Sequence, residues 1–202
     1  RKLEQFEREF AEYCQTDYCV GVGNGLDALR LILQACDIGE GDEVIVPSNT
    51  FIATVLAISY TGASPVFVEP DISTLLINPD LIEEKITSRT KAIMVVHLYG
   101  RIAQMEKIMD IAEKHKLKVF EDCAQAHGAR FEGRNVGALG EMGCFSFYPG
   151  KNLYAFGEGG SVTCRREEYY RHMTRMKNQG CDVRYYHDEI GYNYRLEGLQ
   201  GA

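Results

Sequence analysis

The chain has 202 residues, 45% of them hydrophobic and 25% charged, which is enough for one sizeable globular core. The formal net charge of −7 argues against nucleic acid as the main ligand, although a local group of basic residues could still hold one phosphorylated small molecule. No apolar run is long enough to span a bilayer, and the charged, amphipathic N-terminus does not resemble a signal peptide. We therefore expect a cytoplasmic protein with neither nucleic acid nor a membrane as its partner.

The predicted elements alternate between short apolar runs and stretches of helical periodicity. In chain order they are a helix at 26–36, a strand at 44–46, a helix at 49–60, a strand at 65–68, a helix from 80 onward, a strand at 92–96, a helix at 104–115 and a strand at 117–120. Ser48 or Asn49 is the expected cap of the second helix, and Asn78-Pro79 opens the third at Asp80. This alternation predicts an α/β fold with a mainly parallel sheet and helices on both faces.

The pattern changes after residue 122. Nine glycines crowd residues 128–160, and two apolar runs, Cys144–Tyr148 and Ser161–Thr163, predict short antiparallel strands joined by turns. Dense glycine also allows the backbone to pass close to a ligand, which we expect here.

Seven cysteines, an odd number without any CxxC spacing, disfavour a disulfide framework or a zinc site. We expect reduced thiols that pack as small hydrophobic side chains, and no bound metal. The cysteines are Cys14, Cys19, Cys36, Cys123, Cys144, Cys164 and Cys181.

The chain carries no internal repeat or linker, so residues 1–202 are predicted to form a single domain. It starts at Arg1 without a methionine and stops at Ala202 inside LEGLQGA, a pattern that predicts a helix. Both ends look cut, and we expect the chain to be part of a longer protein.

A first candidate site is the turn GVGNGLDAL at residues 21–29, where a strand leads into a helix. Free N–H groups at a helix start favour an anion, so a phosphate could lie on the amides of Gly25 and Leu26. The spacing is neither GxGxxG nor Walker A, which argues against a dinucleotide or a nucleoside triphosphate. A plain turn explains the pattern equally well.

A second candidate is Asp122, at the end of an apolar strand. Successive side chains of a strand point to opposite faces, so Glu121 is expected to be exposed and Asp122 buried. A buried carboxylate needs a cation or a donor, and a protonated cofactor nitrogen would suit it. The alternative is a structural acid that caps the glycine-rich loop.

A third candidate is Lys151, which follows Pro149-Gly150 in a stretch rich in Phe and Tyr. Apolar surroundings favour the neutral amine that a nucleophile needs. Ser146, on the preceding strand, could donate its hydroxyl to a phosphate. An ordinary loop lysine is the alternative.

Taken together, these features resemble the DegT/DnrJ/EryC1/StrS aminotransferases, enzymes that depend on pyridoxal phosphate (PLP). The resemblance covers nearly the whole chain through motifs in a specific order: GVGNGLDAL, GDEVIVPSNTFIAT, GASPVFVEPD, VVHLYG, EDCAQAHGA, FSFYPGKN with the following GEGG, and GYNYR. It implies the large domain of a PLP enzyme of fold type I, the aspartate aminotransferase architecture.

The resemblance also assigns roles to residues. Lys151 would form the Schiff base with the cofactor and later shuttle protons, while Asp122 would pair with the pyridine nitrogen. Ser146 and the backbone of Gly25 and Leu26 resemble the phosphate cradle.

Three further residues contact the cofactor in the family's pattern. Gln125 resembles the residue at the ring oxygen, and Phe51 the one that stacks on the ring. Asn193 resembles an asparagine that reaches the phosphate from the partner subunit, which implies a homodimer with shared active sites. His127 and Tyr99 are additional candidates, for each of which a structural role is about as compatible.

Two departures from the family are visible. Many relatives carry Thr or Ser where this chain has Leu26, so one hydroxyl contact to the phosphate is lost and the backbone must suffice. Relatives also continue into a smaller C-terminal domain that helps bind substrate, and this domain is missing from the 202 residues.

Within the family, HLYGRIAQMEKI, AQAHGA and SFYPGKN look most like enzymes that aminate 3-keto-6-deoxyhexoses carried on dTDP. The implied reaction transfers an amino group to the keto sugar, with glutamate as the expected donor. Alternatives are a keto-cyclitol substrate or a non-catalytic family member with a regulatory or assembly role. A PLP-dependent sugar dehydratase is disfavoured because those relatives replace the lysine with histidine.

Overall fold

Short apolar runs and the helices between them build one seven-stranded sheet in the computed structural model, which describes residues 2–202. The helices are α1 (Lys2–Cys14), α2 (Gly25–Ala35), α3 (Ile52–Tyr60), α4 (Met105–His115) and α5 (Glu167–Lys177). The strands are β1 (Tyr18–Val22), β2 (Glu43–Pro47), β3 (Ser64–Val68), β4 (Thr90–Val96), β5 (Lys118–Asp122), β6 (Arg130–Phe131), β7 (Arg134–Asn135), β8 (Met142–Ser146) and β9 (Gly160–Cys164).

The strands of the large sheet lie in the order β1-β9-β8-β5-β4-β2-β3. The neighbours from β3 to β8 are all parallel, whereas β9 pairs antiparallel with both β8 and β1. A separate two-stranded hairpin joins β6 and β7. The predicted mainly parallel sheet is confirmed, as is the antiparallel pair after residue 122.

Two hydrophobic clusters cover the two faces of this sheet. One contains Met94 and Phe120 together with apolar residues of α2, α3 and α5, and the other contains Ile93 and Val119 with residues of α1 and α4. Alternate residues of each strand therefore enter different clusters, as the period of two requires. Helices on both faces leave the carboxyl ends of the parallel strands open at one edge.

Three helix predictions differ from the structure. Helix α3 starts at Ile52 rather than at residue 49, with Phe51 as its cap and no capping side-chain hydrogen bond. Asn78 does cap a helical segment through Asp80 N, but only two short 3-10 turns follow, at Pro79–Leu81 and Glu83–Lys85. The LEGLQGA segment forms turns instead of a helix.

All seven cysteines are free, and six of them are buried, as expected for small core side chains. Burial raises the pKa of Cys14 to about 12, so this thiol stays protonated. Among residues 2–202, no helix has the length and apolar character needed to cross a membrane.

Candidate active site

A cavity of about 840 Å³ opens at the carboxyl edge of the sheet, between the first turns of α2 and α3 and the loop after β8. This is the edge at which open α/β sheets bind ligands, and the volume suits a small-molecule site. Seven of the eight predicted site residues line it: Gly25, Leu26, Phe51, Asp122, Gln125, Ser146 and Lys151.

Asp122 forms the floor of the cavity at the end of β5. Its side chain is 6% exposed and accepts two hydrogen bonds, one from Thr54 Oγ1 to Oδ2 at 2.8 Å and one from Ala124 N to Oδ1 at 3.1 Å. Burial raises the pKa of Asp122, and the two hydrogen bonds and the charge of Lys151 offset that rise only in part. A carboxylate in this setting is stabilised by a cation or a strong donor from the cavity.

Glu121, the preceding residue, was expected to be exposed, and this prediction is wrong. Its side chain is fully buried on the other face of β5. Oε1 accepts from the amides of Leu139 and Gly140, both at 2.8 Å, and Oε2 from the amide of Gly137 at 2.9 Å and from His97 Nε2 at 3.0 Å. These four N–H donors, with the Cys123 thiol 4.0 Å from Oε2 as a weaker fifth, compensate the carboxylate for its lost hydration.

Glu121, His97 and Cys123 lie close enough together to suggest a metal site, with candidate ligand atoms within 4.8 Å of one another. However, the amide of Ala103 donates to His97 Nδ1 at 3.2 Å, so Nε2 carries the proton and donates to Glu121. Hydrogen bonds within the chain therefore account for the arrangement of these three side chains.

The first turn of α2 carries the residues predicted to bind a phosphate. Asn24 caps the helix by accepting from Asp27 N at 2.9 Å, and the amides of Gly25 and Leu26 have no carbonyl four residues back inside the helix. A Cβ on Gly25 would lie 2.9 Å from Ser146 Cβ. Glycine thus allows the helix start to approach the Ser146 hydroxyl, which completes a group of anion-binding donors.

Gly160 explains part of the GEGG motif. A Cβ at this position would lie 2.5 Å from the carbonyl carbon of Asn24, so β9 can run beneath the start of α2 only with glycine there. Gly160 thus supports the start of α2 from below, and Glu158 of the same motif lines the cavity.

Lys151 lies on the turn after β8, where its amide donates to Tyr148 O at 2.8 Å. The aromatic enclosure predicted around it is only partly present. Phe145 and Phe147 are buried, but Tyr148, Tyr154 and Phe156 are exposed, the last at 98%. Lys151 is half-buried and lines the cavity, so the apolar sequence around it does not form a complete aromatic enclosure.

Gln125 and Phe51 occupy the upper wall of the cavity. The amide of Tyr99 donates to Gln125 Oε1 at 2.9 Å, which orients the side-chain amide so that its Nε2 is the group left to donate. Tyr99 adopts a left-handed backbone conformation, with φ of 56°, and its side chain is 76% exposed. Phe51 is also largely exposed and presents its ring to the cavity.

His127 packs between Phe145 and Phe147 behind the Lys151 turn. Burial and the nearby charge of Lys151 lower the pKa of His127 to about 4, and the backbone of Ser146 opposes this shift. Both ring nitrogens are buried, and neither makes a well-formed hydrogen bond within residues 2–202. His127 is not among the residues that line the main cavity.

Asn193 does not line the cavity of its own chain. It lies in a segment that runs antiparallel to Asn178 and is held by Tyr194 O, which accepts from Gly23 N at 2.9 Å. Tyr192 and Tyr194 stack on each other at 4.6 Å and contact Arg30 of α2.

Thr50 and Thr54 were not among the predicted site residues, although both lie in the GDEVIVPSNTFIAT motif. Thr54 donates to Asp122, and Thr50 Oγ1 lies 2.8 Å from Thr54 Oγ1. Two threonines four residues apart share one face of the helix predicted at 49–60, which is the sequence signal that could have indicated a paired role, although α3 begins only at Ile52.

The donors and acceptors of the cavity fit PLP. An anion cradle at Gly25 and Ser146, a buried carboxylate with spare acceptor capacity at Asp122, and the amine of Lys151 correspond to the phosphate, the ring nitrogen and the aldehyde of that cofactor. A parallel α/β sheet with such a site at its carboxyl edge defines the large domain of a PLP enzyme of fold type I.

Comparison with known proteins gives the family. The DegT/DnrJ/EryC1/StrS aminotransferase family matches residues 1–202, and the chain belongs to it. The predicted family, the fold type and the PLP cofactor of these aminotransferases are thereby confirmed.

Three similar proteins illustrate this relationship. The chain is 59% identical over 201 residues to dTDP-3-amino-3,6-dideoxy-alpha-D-galactopyranose transaminase of Aneurinibacillus thermoaerophilus, covering 100% of the chain and 55% of that protein. The structure of DesV from S. venezuelae in complex with a ketimine intermediate matches with a TM-score of 0.98 and 49% identity, covering 100% of this chain and 54% of DesV. NtdA of Bacillus subtilis with bound cofactor PMP matches with a TM-score of 0.94 and 34% identity over 100% of this chain and 46% of NtdA. The chain thus spans about half the length of the relatives it matches.

Proposed function

We propose that the complete protein, with these 202 residues as its PLP-binding large domain, is an aminotransferase that acts on a keto sugar carried on a nucleotide. The observation that carries the proposal is that one cavity is lined by the Lys151 amine, the buried Asp122 carboxylate and the hydrogen-bond donors at Gly25 and Ser146. The identity of 59% to a dTDP-sugar transaminase supports the sugar substrate.

In this proposal the chain's own residues hold and orient the cofactor. The amides of Gly25 and Leu26 and the hydroxyl of Ser146 bind its phosphate, and Asp122 keeps a proton on its ring nitrogen. When bound, PLP supplies an electron sink for the substrate carbon. Lys151 binds the cofactor covalently and then carries protons to and from that carbon.

Two side chains set the position of the ring. Gln125, fixed by the Tyr99 amide, donates Nε2 to the ring oxygen, and Phe51 covers one face of the ring. Binding from several sides holds the reacting carbon within reach of Lys151, which is how positioning lowers the barrier.

We further propose a dTDP-linked 3-keto-6-deoxyhexose as the acceptor and glutamate as the donor. The test incubates the complete protein with PLP, ¹⁵N-glutamate and a panel of acceptors: the dTDP-linked sugar, its UDP and GDP counterparts, and a keto-inositol. We expect ¹⁵N to enter the dTDP-linked sugar, as measured by mass spectrometry. Labelling of the keto-inositol alone would overturn the substrate, and no labelling of any acceptor by a PLP-loaded protein would overturn the activity.

The covalent role of Lys151 has its own test. Borohydride should fix PLP to the wild-type protein and to Lys118→Ala, a lysine on the far end of β5, but not to Lys151→Ala. Reductive trapping of PLP in Lys151→Ala would show that another amine binds the cofactor.

The active unit in this proposal is a homodimer in which Asn193 completes the partner's phosphate site. This placement is compatible with the position of Asn193 outside the cavity of its own chain. Mixing Lys151→Ala with Asn193→Ala subunits tests it, because a mixed dimer would have one site with both lesions and one with neither. With random exchange we expect recovery to about a quarter of wild-type activity, since half of the dimers then carry one intact site. No recovery after demonstrated exchange would mean that each subunit builds its own site.

A further inference from the structure

A chain of two hydroxyls extends from Asp122 through Thr54, in the first turn of α3, to Thr50, just before the cap of that helix. Thr54 Oγ1 lies 2.8 Å from Asp122 Oδ2, and Thr50 Oγ1 lies 2.8 Å from Thr54 Oγ1. Thr54 is fully buried beneath the cavity, whereas Thr50 lines the cavity wall.

The protonation state of Asp122 fixes the direction of this chain. An ionised carboxylate only accepts hydrogen bonds, so Thr54 must donate its single hydroxyl proton to Asp122. Thr54 then has only lone pairs left for Thr50, so Thr50 must be the donor to Thr54. Each hydroxyl thus strengthens the next as a donor toward the carboxylate.

The two donors to Asp122 leave some of its hydrogen-bond acceptor positions unused. A carboxylate has about four acceptor positions, and only two are used, by Thr54 on Oδ2 and by the amide of Ala124 on Oδ1. Asp122 also lines the cavity, so its remaining acceptor positions are available to a donor bound there.

We propose that Thr54, oriented by Thr50, is a positioning residue that keeps Asp122 ionised and aimed at the ring nitrogen of PLP. The inference rests on the proposed function, in which Asp122 meets that nitrogen. Without the Thr54 hydroxyl, the carboxylate is more basic and takes the shared proton from the ring nitrogen. The pair then changes from pyridinium and carboxylate to neutral pyridine and carboxylic acid, with one proton moved and no other reactant needed.

The test uses the complete PLP-loaded protein with ¹⁵N in the pyridine ring, because the ¹⁵N chemical shift reports directly whether that nitrogen is protonated. The variants are Thr54→Val, which keeps the shape and removes the hydroxyl, Thr54→Ser, which restores it, and Thr50→Val. Thr163→Val is the matched control, since Thr163 is an equally buried threonine whose hydroxyl donates to Gly137 O at 2.8 Å, away from the cavity.

We expect a pyridinium shift in wild type, Thr54→Ser and Thr163→Val, a displacement toward neutral pyridine in Thr54→Val, and a smaller displacement in Thr50→Val. A second measurement compares dissociation constants for PLP and for 1-deaza-PLP, which lacks the ring nitrogen. Thr54→Val should weaken PLP binding about tenfold, the value of one hydrogen bond to a charged group, and 1-deaza-PLP binding much less.

The outcomes separate this inference from the proposed function. A wild-type protein that binds PLP without a pyridinium signal would refute the role of Asp122 itself. A normal wild-type signal with an unchanged shift in Thr54→Val, or equal weakening of both ligands, would refute the positioning role and leave the proposed function intact. If Thr54→Val does not fold, Thr50→Val decides in the same way. This substitution removes the hydroxyl that donates to Thr54 and so weakens Thr54 as a donor to Asp122.

Discussion

Two consecutive residues of β5 are buried carboxylates that differ in how many hydrogen-bond donors surround them. Glu121 faces the side of the sheet covered by α1 and α4 and accepts hydrogen bonds from four donors of its own chain. Asp122 faces the side covered by α2 and α3, accepts only two, and lines a cavity. Both are removed from water, so the difference lies in how many partners the fold provides.

The comparison indicates which buried acid serves the fold and which serves a ligand. The Glu121 carboxylate has no acceptor position left for a ligand, and its hydrogen bonds connect the 137–140 loop to the sheet. The unsaturated Asp122 carboxylate keeps capacity for an external donor, at the cost of a raised pKa. The two acids should therefore respond in opposite ways to the same neutralising substitution.

The largest effect is expected for Asp122→Asn. Loss of the charge opposite the cofactor nitrogen should lower kcat by a factor of about 10²–10³ or more, because preorganised charge in a dry site is worth several kcal/mol in the transition state. Stability without cofactor should not fall. Burial raises the pKa of Asp122, so the stability due to its neutral form is present at low pH and is lost as the pH rises through that raised value, a loss that Asn cannot undergo.

Steady-state kinetics of the loaded protein and denaturation of the cofactor-free protein from pH 4 to 8 measure both halves of this prediction. Near-normal transamination by Asp122→Asn would show that another residue supports the ring nitrogen. A strongly destabilised cofactor-free variant would show that Asp122 serves the fold instead.

Glu121→Gln should give the opposite pattern. An amide has one acceptor oxygen, so two of the four donors would face its NH₂ group, and each unsatisfied buried group costs about 1–3 kcal/mol. We expect the free energy of unfolding to fall by about 2–5 kcal/mol, while kcat of the folded fraction changes little. Chemical denaturation measures the loss, with the exposed Glu113→Gln as control, and unchanged stability would mean that the four contacts contribute little.

Short local motifs singled out Asp122 and Lys151, and both line the cavity, while their roles toward the cofactor stay predictions. The sequence could also predict the sheet, since apolar runs and helical periodicity follow directly from burial on two faces. Strand alternation correctly separated Glu121 from Asp122 but could not show that the second face is covered by α1, α4 and a loop 16–19 residues away. Partners that distant arise only from the tertiary fold.

The same limit explains why Thr50 and Thr54 were not predicted as site residues. Thr54 looks like an ordinary helical residue until α3 is docked against β5, 68 positions further along the chain. The prediction for the aromatic residues around Lys151 was wrong in the opposite direction. The local sequence pattern suggested that they are buried, but several of them are exposed on the turn. Cavity residues that belong to a local motif could be found from the sequence, whereas contacts that depend on the packing of distant elements could not.

His127 offers a third case, a buried group without good partners that does not face the main cavity. Because burial lowers its pKa to about 4, the folded protein resists protonation while the unfolded chain accepts a proton near pH 6.5. Stability due to the neutral ring is therefore present above about pH 6.5 and is lost as the pH falls toward 4.

We expect His127→Asn to remove this acid sensitivity. The wild-type protein should lose about 2 kcal/mol between pH 7 and pH 4 through this residue, after allowance for its partial exposure. Denaturation of both proteins at several pH values, with the exposed His187→Asn as control, measures the difference. Parallel stability profiles for wild type and His127→Asn would mean that the ring is charged or solvated in the folded state.

The smallest effect is expected for Ser146→Ala, which tests whether spare capacity at the cavity edge is used by the ligand in the way proposed for Asp122. The hydroxyl of Ser146 has only a long contact of 3.4 Å from Tyr148 N and lies beside the start of α2. Its loss should leave stability nearly unchanged and weaken PLP binding about five- to tenfold, the usual value of one hydrogen bond to a charged phosphate when the backbone donors remain. Binding of pyridoxal, which has no phosphate, should not change, and Ser161→Ala, a buried serine of β9 outside the cavity lining, should match the wild type for both ligands. If Ser146→Ala weakened the binding of PLP and of pyridoxal equally, Ser146 would act on the cofactor ring or on the fold and not on the phosphate. An unused hydrogen-bonding group in the cavity would then not identify the part of the ligand that it binds.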